Sequence, residues 1–160
     1  MSCKRTVRAA AGLAIACAFA GTAFGAHGGH AWIGTWVLDP QQSACEGTTN
    51  VQRYALTLTE APGGTLDYRV EGLDSNQPVH VLARQVADGT PAPLTGLPGY
   101  ADTLTLHRSR SQLHLLLSNH GQLVERATLV LGKDRRYWIG HLTGVLRGQP
   151  WVCRWLARRE

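Results

Sequence analysis

Thr65-Leu66-Asp67-Tyr68-Arg69-Val70-Glu71 is the stretch whose reading decides the fold. Leu66, Tyr68 and Val70 alternate with Asp67, Arg69 and Glu71, the period of two that a strand with one dry and one wet face requires. The same alternation runs outward in both directions. Tyr54, Leu56 and Leu58 alternate with Arg53, Thr57 and Thr59, and Leu104 and Leu106 with Thr103, Thr105 and His107. Leu113, Leu115 and Leu117 mark another strand, as do the runs Leu123–Leu131 and Tyr137–Leu142. No stretch carries a helical stripe.

Turn chemistry separates these runs at short, regular intervals. Pro62-Gly63-Gly64, Asp74-Ser75-Asn76, Asp88-Gly89, Asn119-His120-Gly121, Gly132-Lys133-Asp134 and Arg147-Gly148-Gln149 supply residues that tolerate positive φ or favour reversal. About nine or ten strands joined by hairpins form an antiparallel meander, which escapes an open edge most simply by closing on itself. The expectation is an all-β, antiparallel up-and-down β-barrel of about 8–10 strands.

The chain has 160 residues and a net charge of +5. Its first 25 residues read as a signal peptide: Lys4, Arg5 and Arg8 open it, Ala9–Ala20 is apolar or small, and Ala23-Phe24-Gly25 offers a peptidase its small residues. Residues 26–160 are then a single barrel domain in the periplasm or outside the cell. Ala14-Ile15-Ala16-Cys17 loosely fits a lipoprotein box, so the alternative is a lipoprotein anchored at Cys17, the one route to a membrane. Removing the leader takes away three cations and leaves 13 Lys and Arg against 11 Asp and Glu. Those charges are dispersed, without the clustered basic face that binds nucleic acid.

The leader also carries Cys3 and Cys17, so the mature domain keeps only Cys45 and Cys153. In an oxidising compartment such a pair reads as a disulfide. Barrel closure agrees. Pairing a first strand at Ala31–Leu38 antiparallel to a last strand at Trp151–Arg158 brings Cys153 near the segment leading to Cys45, and Trp36 near Leu156 and Arg158.

Gly34-Thr35-Trp36, followed by Val37-Leu38-Asp39-Pro40 and Ser43, resembles the Gly-x-Trp signature of the calycins, the group of lipocalins and fatty-acid-binding proteins. The similarity continues through Leu66–Asp74, Pro78-Val79 and Thr95–Thr103, and resembles a group of secreted, lipocalin-like bacterial domains. It implies that Trp36, introduced by Gly34, closes one end of the barrel beneath an arginine of the last strand. Arg158 is the best-placed match and Arg154 the second. The connection from Asp39 to Asn50 is too short for a helical lid.

No Gly-x-Ser-x-Gly elbow is present, and no catalytic residue, metal site or cofactor is implied. His27-Gly28-Gly29-His30 reads as a polar tail, His107 and His114 as neighbours across a hairpin, and Asp102 as a loop cap. The functional expectation is therefore the lumen. Tyr54, Leu56, Tyr68, Val70, Leu104, Leu106, Leu115 and Ile139 should face inward and line a site for one small apolar or amphipathic ligand. The alternative is an envelope interaction or inhibitor module with a filled core, using the loop Pro91–Tyr100 with Leu94 and Leu97 exposed. A third reading, a lumen-active isomerase or cyclase, requires an inward-facing acid or base.

Overall fold

A computed structural model describes residues 29–47, 51–74 and 76–160. The leader, with Cys17, lies outside the described residues. Among these described residues there are eleven strands: β1 (Gly34–Leu38), β2 (Ala44–Glu46), β3 (Val51–Ala61), β4 (Thr65–Asp74), β5 (Gln77–Gln85), β6 (Asp88–Thr95), β7 (Thr103–Arg108), β8 (Gln112–Asn119), β9 (Gln122–Leu131), β10 (Tyr137–Leu146) and β11 (Gln149–Arg159). The strand Thr65–Glu71 read from the alternation is the body of β4, with Leu66, Tyr68 and Val70 buried.

From β3 to β11 each strand pairs antiparallel with the next, and β1 lies between β3 and β11. Ten strands thus form a closed up-and-down barrel. β1 and the three-residue β2 share one edge of β11. β1 takes its late half, with Trp36 opposite Arg159 and Leu38 opposite Ala157, and β2 takes its early half, with Cys45 opposite Cys153. Between them a 3₁₀ turn (Pro40–Gln42) is capped by Asp39, whose carboxylate accepts from the Gln41 N–H. The Ser43 hydroxyl accepts from the Leu156 N–H, bridging the gap in the ladder. The predicted disulfide Cys45–Cys153 is formed, across 108 residues of sequence.

Turns fall where the sequence places them. His120-Gly121 and Arg147-Gly148 both have two consecutive positive φ values, the conformation that matches the right-handed twist of flanking strands. The weakest seam lies between β5 and β6, where only Leu82–Thr95 and Ala83–Leu94 pair. Leu94 donates its N–H toward the β7 side, to the Asp102 carbonyl. Alternation therefore aims the nitrogens of Pro93 and Pro91 at β5, and proline nitrogens carry no hydrogen to donate.

The barrel has two unlike ends. At the closed end Trp32, Trp36 and Trp138 are fully buried with Leu56, Leu58, Leu106 and Leu113. Residues Gly29–Trp32 form a 3₁₀ turn across this end, so the expected start of the first strand at Ala31 is corrected to Gly34. The turn is pinned by the indoles themselves: Trp36 Nε1 donates to the Trp32 carbonyl (3.0 Å) and Trp32 Nε1 to that of Ser109 (3.2 Å).

Two further expectations need correction. The arginine over Trp36 is Arg159, with its guanidinium carbon 4.3 Å from the ring centre, and not Arg158. In β11 the inward phase runs Trp151, Cys153, Trp155, Ala157 and hence Arg159; Arg158 points outward and pairs with Asp39 (3.2 Å). Arg159 also donates to the carbonyls of Ile33 and Ala31, lacing the final strand to the plug. In β10 the inward phase is Trp138, Gly140 and Leu142, so Ile139 falls on the outer phase and contributes nothing to the lumen.

Candidate functional site

At the opposite end the barrel opens into a cavity of about 260 Å³. It is built from the first residues of β3, β5, β7, β9 and β11, the last residues of β4, β6, β8 and β10, and the loop after β6. Of the residues expected to line the lumen, Tyr54, Tyr68, Val70 and Leu104 do so. Leu56, Leu106 and Leu115 also face inward, but lower, in the packed half where no space remains.

Aromatic rings dominate the upper wall. Tyr54 packs against Trp155 with ring centres 4.7 Å apart and planes inclined at 58°, an arrangement favoured by the ring quadrupoles. Tyr54 and Tyr68 are close enough for their phenols to influence each other's titration. Gly72, opposite Tyr54 on β4, permits close backbone approach, since a Cβ there would lie 2.4 Å from the Arg53 carbonyl oxygen. Gly144 does the same for Trp151, whose indole lies flat over it: an added Cβ would meet the ring at 2.5 Å. The disulfide stands behind this wall, Cys153 lying between Trp151 and Trp155, and the Trp155 indole N–H reaches Cys45 Sγ at 3.3 Å.

Glu125 is the carboxyl inside the upper wall. It takes the inward phase of β9 with Ala127 and Leu129, and its cross-strand neighbours are Leu117 and Gly144. Tyr100, held by a turn in which it and Ala101 donate to the Leu97 carbonyl, gives its hydroxyl to Glu125 Oε2 at 3.1 Å. Burial pushes the Glu125 carboxyl up to about 7, against the opposing pull of the Tyr100 hydroxyl. Burial first, and then the Glu125 charge, raise the Tyr100 phenol. Tyr54 and Tyr68 are raised mainly by burial and feel the Glu125 charge as well. All three phenols are therefore neutral donors throughout the ordinary pH range. Arg53 and Asp74 stand at the mouth.

Sequence reasoning missed Glu125, Tyr100, Trp151 and Trp155. Three of them carried a signal: Glu125-x-Ala127-x-Leu129-x-Leu131 and Trp151-x-Cys153-x-Trp155-x-Ala157 each place the missed residue on an inward phase. Tyr100 carried none, because its loop is shaped by tertiary contacts. The segment Pro91–Tyr100 is corrected too. Its first half belongs to β6, and Leu94 and Leu97 turn into the cavity instead of facing solvent.

The histidines stand apart from this site. His107 and His114 are cross-strand neighbours with ring centres 6.2 Å apart, and the His114 nitrogens are engaged by Thr128 and Gln112. Asp102 caps its loop, accepting from the His120 N–H and the Thr103 hydroxyl, which hold its carboxyl below the usual range.

No protein-family model matches this chain, and no curated protein matches it. Among solved structures, five chains match. One is the crystal structure of zebrafish ileal bile acid-binding protein complexed with cholic acid, with a TM-score of 0.51 at 10% identity, covering 81% of this chain and 99% of that one. The fold is calycin-like. At that identity the likeness extends to the barrel alone. Among the described residues of this calycin-like barrel the helical elements are three 3₁₀ turns, so none of them forms a helical lid over the mouth. Instead the turn after β2 meets the rim, where a Cβ on Gly47 would lie 2.8 Å from that of Trp151.

Proposed function

We propose that this protein is an exported barrel that binds one small amphipathic molecule in its open half. The cavity carries this reading. Its walls combine apolar side chains with a few convergent polar groups, the composition of a small-molecule site. Its volume of about 260 Å³ equals that of roughly nine waters in the liquid. The zebrafish bile acid-binding protein, similar in fold, was crystallised in complex with cholic acid, which supports a small-ligand reading. The disulfide points to an oxidising compartment. Export would use residues 1–25 as the signal peptide, with cleavage before Ala26, or lipidation of Cys17 as the tethered alternative. The envelope-partner reading has less to draw on, because the leucines assigned to its contact loop are spent on the cavity wall.

The reading is tested by purifying the protein from its native compartment and recording denaturing and native mass spectra. The denatured mass should correspond to residues 26–160 less the two hydrogens of the disulfide. The native spectrum should carry a non-covalent adduct of a small organic molecule. A bare protein that also takes up no added amphiphile overturns the proposal.

A further inference from the structure

Glu125 is half-buried in the cavity wall, with the Tyr100 hydroxyl for a partner. Among the described residues no ion pair involves it, and the one cation lining the cavity, Arg53, stands at the mouth. A carboxylate taken out of water is costly unless a positive group compensates it. Around it the cavity presents the rings of Tyr54, Tyr68, Tyr100, Trp151 and Trp155. Aromatic faces carry the negative lobe of the ring quadrupole and attract ammonium groups, and several around one site form the cage that recognises organic cations.

Resting on the cavity-binding reading above, we propose that the guest is an amphipathic amine whose ammonium group seats against Glu125 within this aromatic wall. Its apolar tail lies against Val70, Leu104 and Leu117. The ammonium donates to the free lone pairs of Glu125, while Tyr100 continues to donate to Oε2. An anionic guest meets repulsion at the same place. Each end of the guest thus has its counterpart: a carboxylate with aromatic faces for the head, and aliphatic side chains for the tail.

The charged and titratable groups facing Glu125 set its pH dependence. Tyr54 on β3, Tyr68 on β4 and Tyr100 in the loop after β6 stay neutral. Leu117 on β8 and Gly144 on β10 carry no charge, and Arg53 and Asp74 lie at the mouth. An alkylammonium keeps its proton up to roughly pH 10. The group that changes state near neutrality is therefore Glu125, and ammonium binding should strengthen as pH rises through about 7.

The test is a calorimetric titration of the full disulfide-bonded protein with octylamine, octanol and octanoate, which share one tail and differ in head group. At about pH 8.5 octylamine should bind at least tenfold more tightly than octanol, and octanoate most weakly. At about pH 5.5 the octylamine affinity should fall by up to about thirtyfold, the loss of the ionised carboxylate, while octanol is unchanged. Glu125→Gln should remove the amine preference and the pH dependence but keep octanol binding, which also shows that the variant is folded. Octanoate binding as tightly as octylamine, or an amine preference that survives Glu125→Gln, overturns the proposal and leaves the cavity reading intact. Failure of all three to bind overturns both.

Discussion

Arg159 and Arg158 are adjacent, yet alternation gives them different work. The Arg159 guanidinium lies on Trp36 and donates to two carbonyls of the N-terminal plug, whereas Arg158 forms an exposed pair with Asp39. Arg159→Ala should cost about 1–3 kcal/mol, from a lost cation–π contact and charge-assisted hydrogen bonds. Arg158→Ala should cost no more than about 1 kcal/mol, the usual worth of an exposed pair. Urea unfolding of the two variants checks the order, and equal losses would contradict it. Glu125 makes a second residue-scale prediction. Its folded pKa of about 7 lies above its ordinary 4.5, so the folded state holds the extra proton in that window and stability falls as pH rises through it. Glu125→Gln should therefore raise stability by about 2–3 kcal/mol at pH 8, about 5–10 °C in Tm, and by almost nothing near pH 4. A melting temperature indifferent to pH in both proteins would refute the assignment.

At the scale of elements, the strands were legible because each hides one face and wets the other. β3, β4, β7 and β8 announce themselves by alternating apolar and polar residues, and Gly121 and Gly148 mark turns that only positive φ can make. The phase of β10 was not legible. Tyr137, Trp138 and Ile139 are all apolar, and only the packing of Trp138 into the closed end decides which side is inside. β6 was hidden by Pro91 and Pro93, which read as a loop yet sit in a strand whose partnership with β5 is correspondingly brief. β2 was hidden by its length of three residues. It is held to β11 by that short ladder and by the disulfide. Replacing Cys45 and Cys153 by serine frees a loop of 108 residues in the unfolded chain and should cost about 4–5 kcal/mol. Denaturant midpoints compared with the oxidised protein measure this, and a loss below about 1 kcal/mol would mean the barrel closes without the bond.

For the whole molecule, the division between a plugged end and an open end is the functional statement. Three buried tryptophans fill the lower half, with the exposed Arg159 laid across its end, and in the upper half Gly144 gives the Trp151 ring room against the wall. The inward positions of the barrel could be read from alternation, and four of the eight named ones reach the cavity. How far the filling extends could not, since depth along the axis depends on which inward residues from ten strands meet at one level. Val70 stands on the cavity floor, almost fully buried, at a level where added volume takes space from a guest and not from the core below. The decisive measurement is a titration of the protein and of its Val70→Phe variant with an environment-sensitive fluorescent amphiphile, read through tryptophan emission, at matched thermal stability. Saturable one-to-one binding by the native barrel, lost in Val70→Phe, is the result this account predicts. Equal binding by both would place the guest outside the cavity and contradict it.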